Sequence, residues 1–113
     1  MTRAKFLTLI GKGGGTFQTL DGYKQALTYD GYTVWFGVAK PENCRSWHTY
    51  ELSTGLHCCV GSTRINALDE TRRHMREIVL LCKRGDEDAT STIAKARARL
   101  NEYQKQTAED ALT

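Results

Sequence analysis

Proline is almost missing from this chain: of 113 residues, Pro41 alone is proline. That excludes proline-rich linkers and polyproline recognition segments. Long apolar runs are missing as well, and none approaches the roughly 20 residues of a membrane-spanning helix. The apolar run in the N-terminal stretch MTRAKFLTLI is too short for the core of a secretory signal. The expected setting is therefore intracellular, where the four cysteines are free or metal-bound rather than paired in disulfides. Neither sign of charge dominates. Sixteen Lys and Arg against thirteen Asp and Glu leave a net charge of +3, which permits contact with nucleic acid without demanding it. Repeats, low-complexity tracts and composition breaks are all lacking. Residues 1–113 read as one domain, and 40% hydrophobic residues suffice for a modest core.

Chemical motifs are equally sparse. Gly11-Lys12-Gly13-Gly14-Gly15 has the glycines of a phosphate loop but not its spacing, and no helical pattern follows it. A glycine connection between strands is the expected role. A thiol nucleophile can be drawn from Cys59 with His57 or His48, but no third residue orients the base. Glu51 and Asp69 are isolated carboxylates. The expectation is a protein that is not an enzyme.

What the sequence does contain is strand and helix patterning. Lys5–Ile10 reads as a first strand. Thr16–Leu20 reads as a short one ended by Asp21-Gly22, and Tyr23–Tyr29 follows. Asp30-Gly31 is a strong two-residue hairpin signal, since both residues tolerate positive φ. Tyr32–Ala39 is rich in aromatic and β-branched residues, and Lys40–Arg45 is a loop. Strands are expected near 4–10, 23–29, 32–39, 46–52 and 56–61, the last two joined at Thr54-Gly55. Ser62 then caps a helix over about 63–84, with Ile65, Leu68, Met75, Val79 and Cys82 as its apolar stripe and Gly85 as its C-terminal stop. Asp86-Glu87-Asp88 forms an acidic loop. Thr90 or Ser91 caps a second helix to about residue 108, with Ile93, Ala96, Leu100 and Tyr103 facing inward. The fold class is α+β: an antiparallel sheet of about five strands over residues 4–61, followed by a two-helix antiparallel hairpin.

The hairpin over 46–61 holds most of the chemistry-bearing residues. If Thr54 and Gly55 are its two central turn residues, Leu56, Cys58 and Val60 share the core face with Trp47. His48, Tyr50, Leu52, His57 and Cys59 take the other face, with Cys44 just upstream. Cys44, His48, His57 and Cys59 then offer two sulfurs and two nitrogens, a set that suits tetrahedral Zn2+. Cys58 replaces Cys59 if the register slips. Free cysteines beside ordinary surface histidines are the alternative. Cys82, on the helix stripe, reads as core. Arg64, Arg72, Arg73, His74 and Arg76 crowd the first helix, and Lys95, Arg97 and Arg99 the second. Such a surface faces phosphates, a protein partner or simply solvent. Arg72, Arg73 and Arg76 are the candidate partner-binding residues.

The run W-H-x-Y-E-x-S-T-G-L at Trp47–Leu56, then V-G-S-T-R at Val60–Arg64, then an apolar-periodic helix, resembles a module of small phage and mobile-element proteins of Gram-positive bacteria. Its strand-strand-helix order is also similar to HicB-type antitoxins and to double-stranded-RNA-binding folds. The resemblance covers Trp47 to about Met75. The chain as a whole looks most like small phage-encoded anti-defence proteins, of which anti-CRISPR proteins are the best-known class. That resemblance implies an inhibitor in the cytoplasm of a bacterial host. Its partner would be a type II CRISPR effector nuclease, bound directly so that action on DNA is blocked. A small nucleic-acid-binding or HicB-antitoxin-like regulatory module is the alternative.

Overall fold

A computed structural model describes residues 1–10 and 16–112. The Gly11–Gly15 connection lies outside the described residues. Five strands form one antiparallel sheet in sequence order: β1 (Thr2–Ile10), β2 (Thr16–Tyr29), β3 (Tyr32–Ala39), β4 (Trp47–Glu51) and β5 (Leu56–Gly61). Three helices follow: α1 (Arg64–Arg73), α2 (Met75–Glu87) and α3 (Thr92–Leu112). The class is α+β, as the patterning implies, with three helices rather than two. No helix among the described residues is long and apolar enough to cross a membrane.

The Asp30-Gly31 turn forms as expected, with φ of 48° and 76°. Asp21-Gly22, by contrast, does not end a strand, because β2 runs through it without interruption. A Cβ on Gly22 would lie 2.2 Å from the Val38 carbonyl oxygen. Glycine is needed there for the close approach of β3, not for a turn.

Cross-strand partners share a face of the sheet. One face carries Leu27 opposite Val34 and Val38 opposite Thr49. It packs against Leu68 of α1 and Met75, Val79 and Cys82 of α2 to make the main core. On the other face Phe6, Ala39 and Tyr50 are buried, with Leu20 and Leu52 beside them, and Leu100 and Gln104 of α3 border a cavity that Phe6 and Leu52 also line. Curling of the sheet helps to cover that face. Phe6 lies across Gly37, where a Cβ would come within 2.5 Å of its ring. At the far end the Leu9 amide donates to the Gly55 carbonyl at 2.9 Å, tying β1 to the β4–β5 turn.

The single helix expected over 63–84 is broken at His74, which adopts φ −102° and ψ 5°. Its residues Leu68, Thr71, Met75, Val79 and Cys82 do keep one stripe, which is why the sequence reads as continuous. Buried Thr71 explains the interruption. Its hydroxyl bonds back to the Ala67 carbonyl at 2.8 Å and also meets the Thr49 hydroxyl at 2.7 Å. Such back-bonding competes with the helix and bends it. Thr63, not Ser62, is the N-cap, accepting from the Asn66 amide at 3.1 Å, while Ser62 takes the Asn66 side-chain amide. Ile65 falls off the core stripe and is exposed. Gly85 does not stop a helix. It sits inside α2, where a Cβ would lie 2.7 Å from Ile93 of α3, so it sets a close helix–helix approach. The Ser91 hydroxyl accepts from the Ala94 amide as the cap of α3. Leu100 is buried, and the Tyr103 ring sits 5.0 Å from that of Phe17.

Arg97 locks α3 to two other parts of the fold, α2 and the β4–β5 turn. It pairs with Asp86 of α2 at 2.6 Å and donates to Ser53 of the β4–β5 turn at 3.1 Å and to the Cys82 carbonyl at 3.3 Å. Asp86 also accepts from the Tyr32 hydroxyl at the start of β3. Ser53 in turn bonds buried Glu51, whose carboxylate takes the Ser53 amide and hydroxyl at 2.7 Å each and the Thr54 hydroxyl at 2.9 Å. Arg97, grouped by sequence with the basic surface, is thus a structural tie.

Two predictions follow from this packing. Gly37→Ala should destabilise the protein by about 1–3 kcal/mol, since its methyl meets the Phe6 ring. Adding Phe6→Leu should cost less than the sum of the two single changes, because the two sites share one contact. Urea denaturation of the four proteins measures both effects. The second prediction concerns acid. The Asp86 carboxyl is held below its ordinary range chiefly by the Tyr32 hydroxyl, then by Arg97, against the opposing effect of burial. Its contribution is therefore full above the ordinary carboxylate pKa of about 4 and is lost as pH falls through the lower folded value. Asp86→Asn should cost roughly 0.5–1 kcal/mol near neutral pH, a small figure because Asp86 is about half exposed. The gap to wild type should close as the pH of the denaturation series drops below about 4.

Candidate functional site

β4 sets the two sides of the site by simple alternation. Trp47, Thr49 and Glu51 face the helices, and His48 and Tyr50 face the concave side. β5 does not alternate simply. Tyr50 pairs with His57 and His48 with Val60, so Cys58 and Cys59 together stand opposite Thr49 as a bulge. The turn, moreover, occupies Leu52–Gly55, with Glu51 paired to Leu56. The two-residue turn expected from Thr54-Gly55 is not formed, and the parity drawn from it fails beyond His57.

The consequences differ for each expected ligand. His48 and His57 do come together: His48 Nδ1 lies 2.9 Å from His57 Nε2, with ring centroids 5.0 Å apart. Buried Tyr50 backs both rings, stacked on His48 at 6.3 Å and edge-on to His57 at 5.5 Å. Partial desolvation of the His57 ring against its neighbours, then the nearby His48, lowers its pKa. Cys59 is turned to the helix side and buried, its amide donating to Thr49 at 3.2 Å. Cys58 also packs toward the helices, and burial, then Cys59 and Glu51, pushes its thiol up to about 12. It stays a protonated thiol at neutral pH. Cys44 is exposed in the β3–β4 loop, after Asn43 at φ 65°, with its amide donating to the Pro41 carbonyl. It comes near enough that its charge helps raise the Tyr50 phenol, behind the larger effect of burial. Among the described residues no group of three or more His, Cys, Asp or Glu side chains is placed to hold a metal ion.

The candidate arginines lie around the α1–α2 break. Arg72 pairs with Asp69 at 2.8 Å and Arg73 with Glu70 at 3.0 Å, and Glu70 also meets His74. These exposed pairs are worth little. Arg76 is exposed at the start of α2. Four residues on is Leu80, and four further Arg84, all exposed on one face of the helix.

Sequence reasoning missed the apolar part of this surface. Leu80 and Leu81 are 59% and 52% exposed. Leu81 borders a cleft of about 200 Å³ between α2, α3 and β5, lined also by Leu56, Cys58, Ile78 and Ile93. The signal was present: Val79-Leu80-Leu81-Cys82 is apolar all round, wider than a single core stripe needs. On the sheet's helix-side edge, Arg64 stacks over Tyr23 at 4.3 Å and near Trp47 at 5.6 Å, with Arg3 on Tyr23 at 5.6 Å. No known protein family, curated protein or solved structure matches this chain.

Proposed function

We propose that this protein is an inhibitor that acts by binding another protein directly. The target suggested by its resemblance to anti-defence proteins is a type II CRISPR effector nuclease of the bacterial cytoplasm. One observation carries the protein-binding reading: exposed Leu80 and Leu81, flanked by Arg76 and Arg84, beside an apolar cleft. Large apolar side chains next to a pocket and rimmed by charge are how protein interfaces are built. Leucine supplies buried area there, and arginine supplies directional hydrogen bonds at its edge. Arg72 and Arg73 extend the basic rim on α1. Docked on an effector, such a face excludes DNA or holds a moving lobe in place. A second reading, nucleic-acid binding, draws on the Arg64, Tyr23 and Trp47 stack, since aromatic and guanidinium planes are what bases stack upon.

The test is cleavage of target DNA by guide-loaded type II effectors at rising concentrations of this protein. Inhibition with a complex on gel filtration is expected. Leu80→Asp, and separately the triple change of Arg72, Arg73 and Arg76 to Glu, should each weaken inhibition by about tenfold or more. The fold should stay intact, because exposed helix positions tolerate substitution. Undiminished cleavage, no complex, and salt-sensitive binding to DNA or RNA would replace this reading with the nucleic-acid one.

A further inference from the structure

The concave face carries a feature apart from Leu80, Leu81 and the arginines around them. His48 Nδ1 and His57 Nε2 converge at 2.9 Å on neighbouring strands. In the neutral pair one imidazole donates and the other accepts. Two ring nitrogens bound to one tetrahedral zinc at about 2.0–2.1 Å would stand about 3.3 Å apart. The observed spacing is therefore only a few tenths of an ångström too short, a difference that small side-chain rotations supply. The backbone beneath needs no change, since β4 and β5 are hydrogen-bonded to each other. Tyr50 closes one side of the pair and limits how the rings turn. His57 is exposed, so an ion reaches the nitrogens without unfolding. His74, the remaining histidine, borders the same cleft as His57 but is engaged with Glu70 and forms no ring contact with the pair.

We infer that His48 and His57 form a two-nitrogen seat for one divalent late transition-metal ion, Zn2+ or its first-row neighbours, with water in the remaining positions. Imidazole is a borderline donor and selects such ions over Mg2+ and Ca2+. The ligand set is narrower than the four residues expected from sequence. The β5 bulge carries Cys58 and Cys59 to the opposite side, and Cys44 is not required. A seat with open positions is also one that a ligand atom from another molecule can complete.

Calorimetric titration of the whole protein with Zn2+ tests this, with Mg2+ as the comparison ion. One saturable Zn2+ site per chain is expected, and no Mg2+ site. His48→Gln and His57→Gln should each weaken Zn2+ binding by more than the roughly 10–100-fold that loss of an outer-shell partner costs. His74→Gln and Cys44→Ala should leave it within about twofold. Circular dichroism of each variant, matching wild type, separates ligand loss from unfolding. The melting temperature of the wild type should also rise with Zn2+, and that of the His48→Gln protein should not. Absence of saturable binding, or equal loss in the His74→Gln or Cys44→Ala protein, would overturn the assignment.

Discussion

The seating of the Phe6 ring on Gly37 is the contact on which the rest of this structure depends. A five-stranded sheet with apolar residues on both faces needs two covers, and the main core on α1 and α2 covers only one of them. Curling solves the problem. β1 folds across the concave face, Phe6 reaches β3, and only glycine there leaves room for the ring. Burying a phenylalanine is worth roughly 1.5–3 kcal/mol, and the glycine's backbone entropy costs less than that. The curl then fixes the neighbourhood of Tyr50, whose ring stands 6.0 Å from Phe6 and behind the two histidines. It also brings Gly55 to β1, so that the β4–β5 turn is held at both ends.

That turn is where sheet and helices are tied together. Glu51 is buried and would be costly if unpaired, yet three donors from Ser53 and Thr54 satisfy it. Ser53 passes the network to Arg97, and Arg97 to Asp86 and Tyr32. One arginine thus sets where α3 lies relative to α2 and the sheet. With α3 fixed, the cleft beside Leu81 has its second wall, Ile93. Local turn chemistry and the shape of the outer surface are in this way linked through a single polar chain.

Much of the architecture was legible because it rests on local rules. Asp30-Gly31 announced its turn, the β-prone runs announced β3 to β5, and Thr90-Ser91 announced the start of the last helix, with Ser91 as the cap that forms. Other features were hidden because tertiary contact outweighed the local rule. Gly22 and Gly85 read as stops but are close-approach positions, a distinction that depends on Val38 and Ile93, far away in sequence. Thr71 read as an ordinary helical residue, and only Thr49 beside it shows why the helix bends. The bulge at Cys58-Cys59 has no sequence signature, and it alone reversed the side on which Cys59 lies. Of the candidate site, the meeting of His48 and His57 was readable from strand parity over a short distance. The exclusion of Cys59 was not, since parity fails after one inserted residue. The outward face of α2 was obscured because Leu80 and Leu81 adjoin the genuine core positions Val79 and Cys82.

β1 closes over the concave face of the sheet, and α2 presents Leu80 and Leu81 outward. Nuclear Overhauser contacts between the Phe6 ring protons and the Gly37 α-protons measure that closure directly. Strong contacts are expected there, accompanied by contacts from Phe6 to Tyr50. A Phe6 ring without contact to Gly37 or Tyr50 would contradict closure of the sheet by β1.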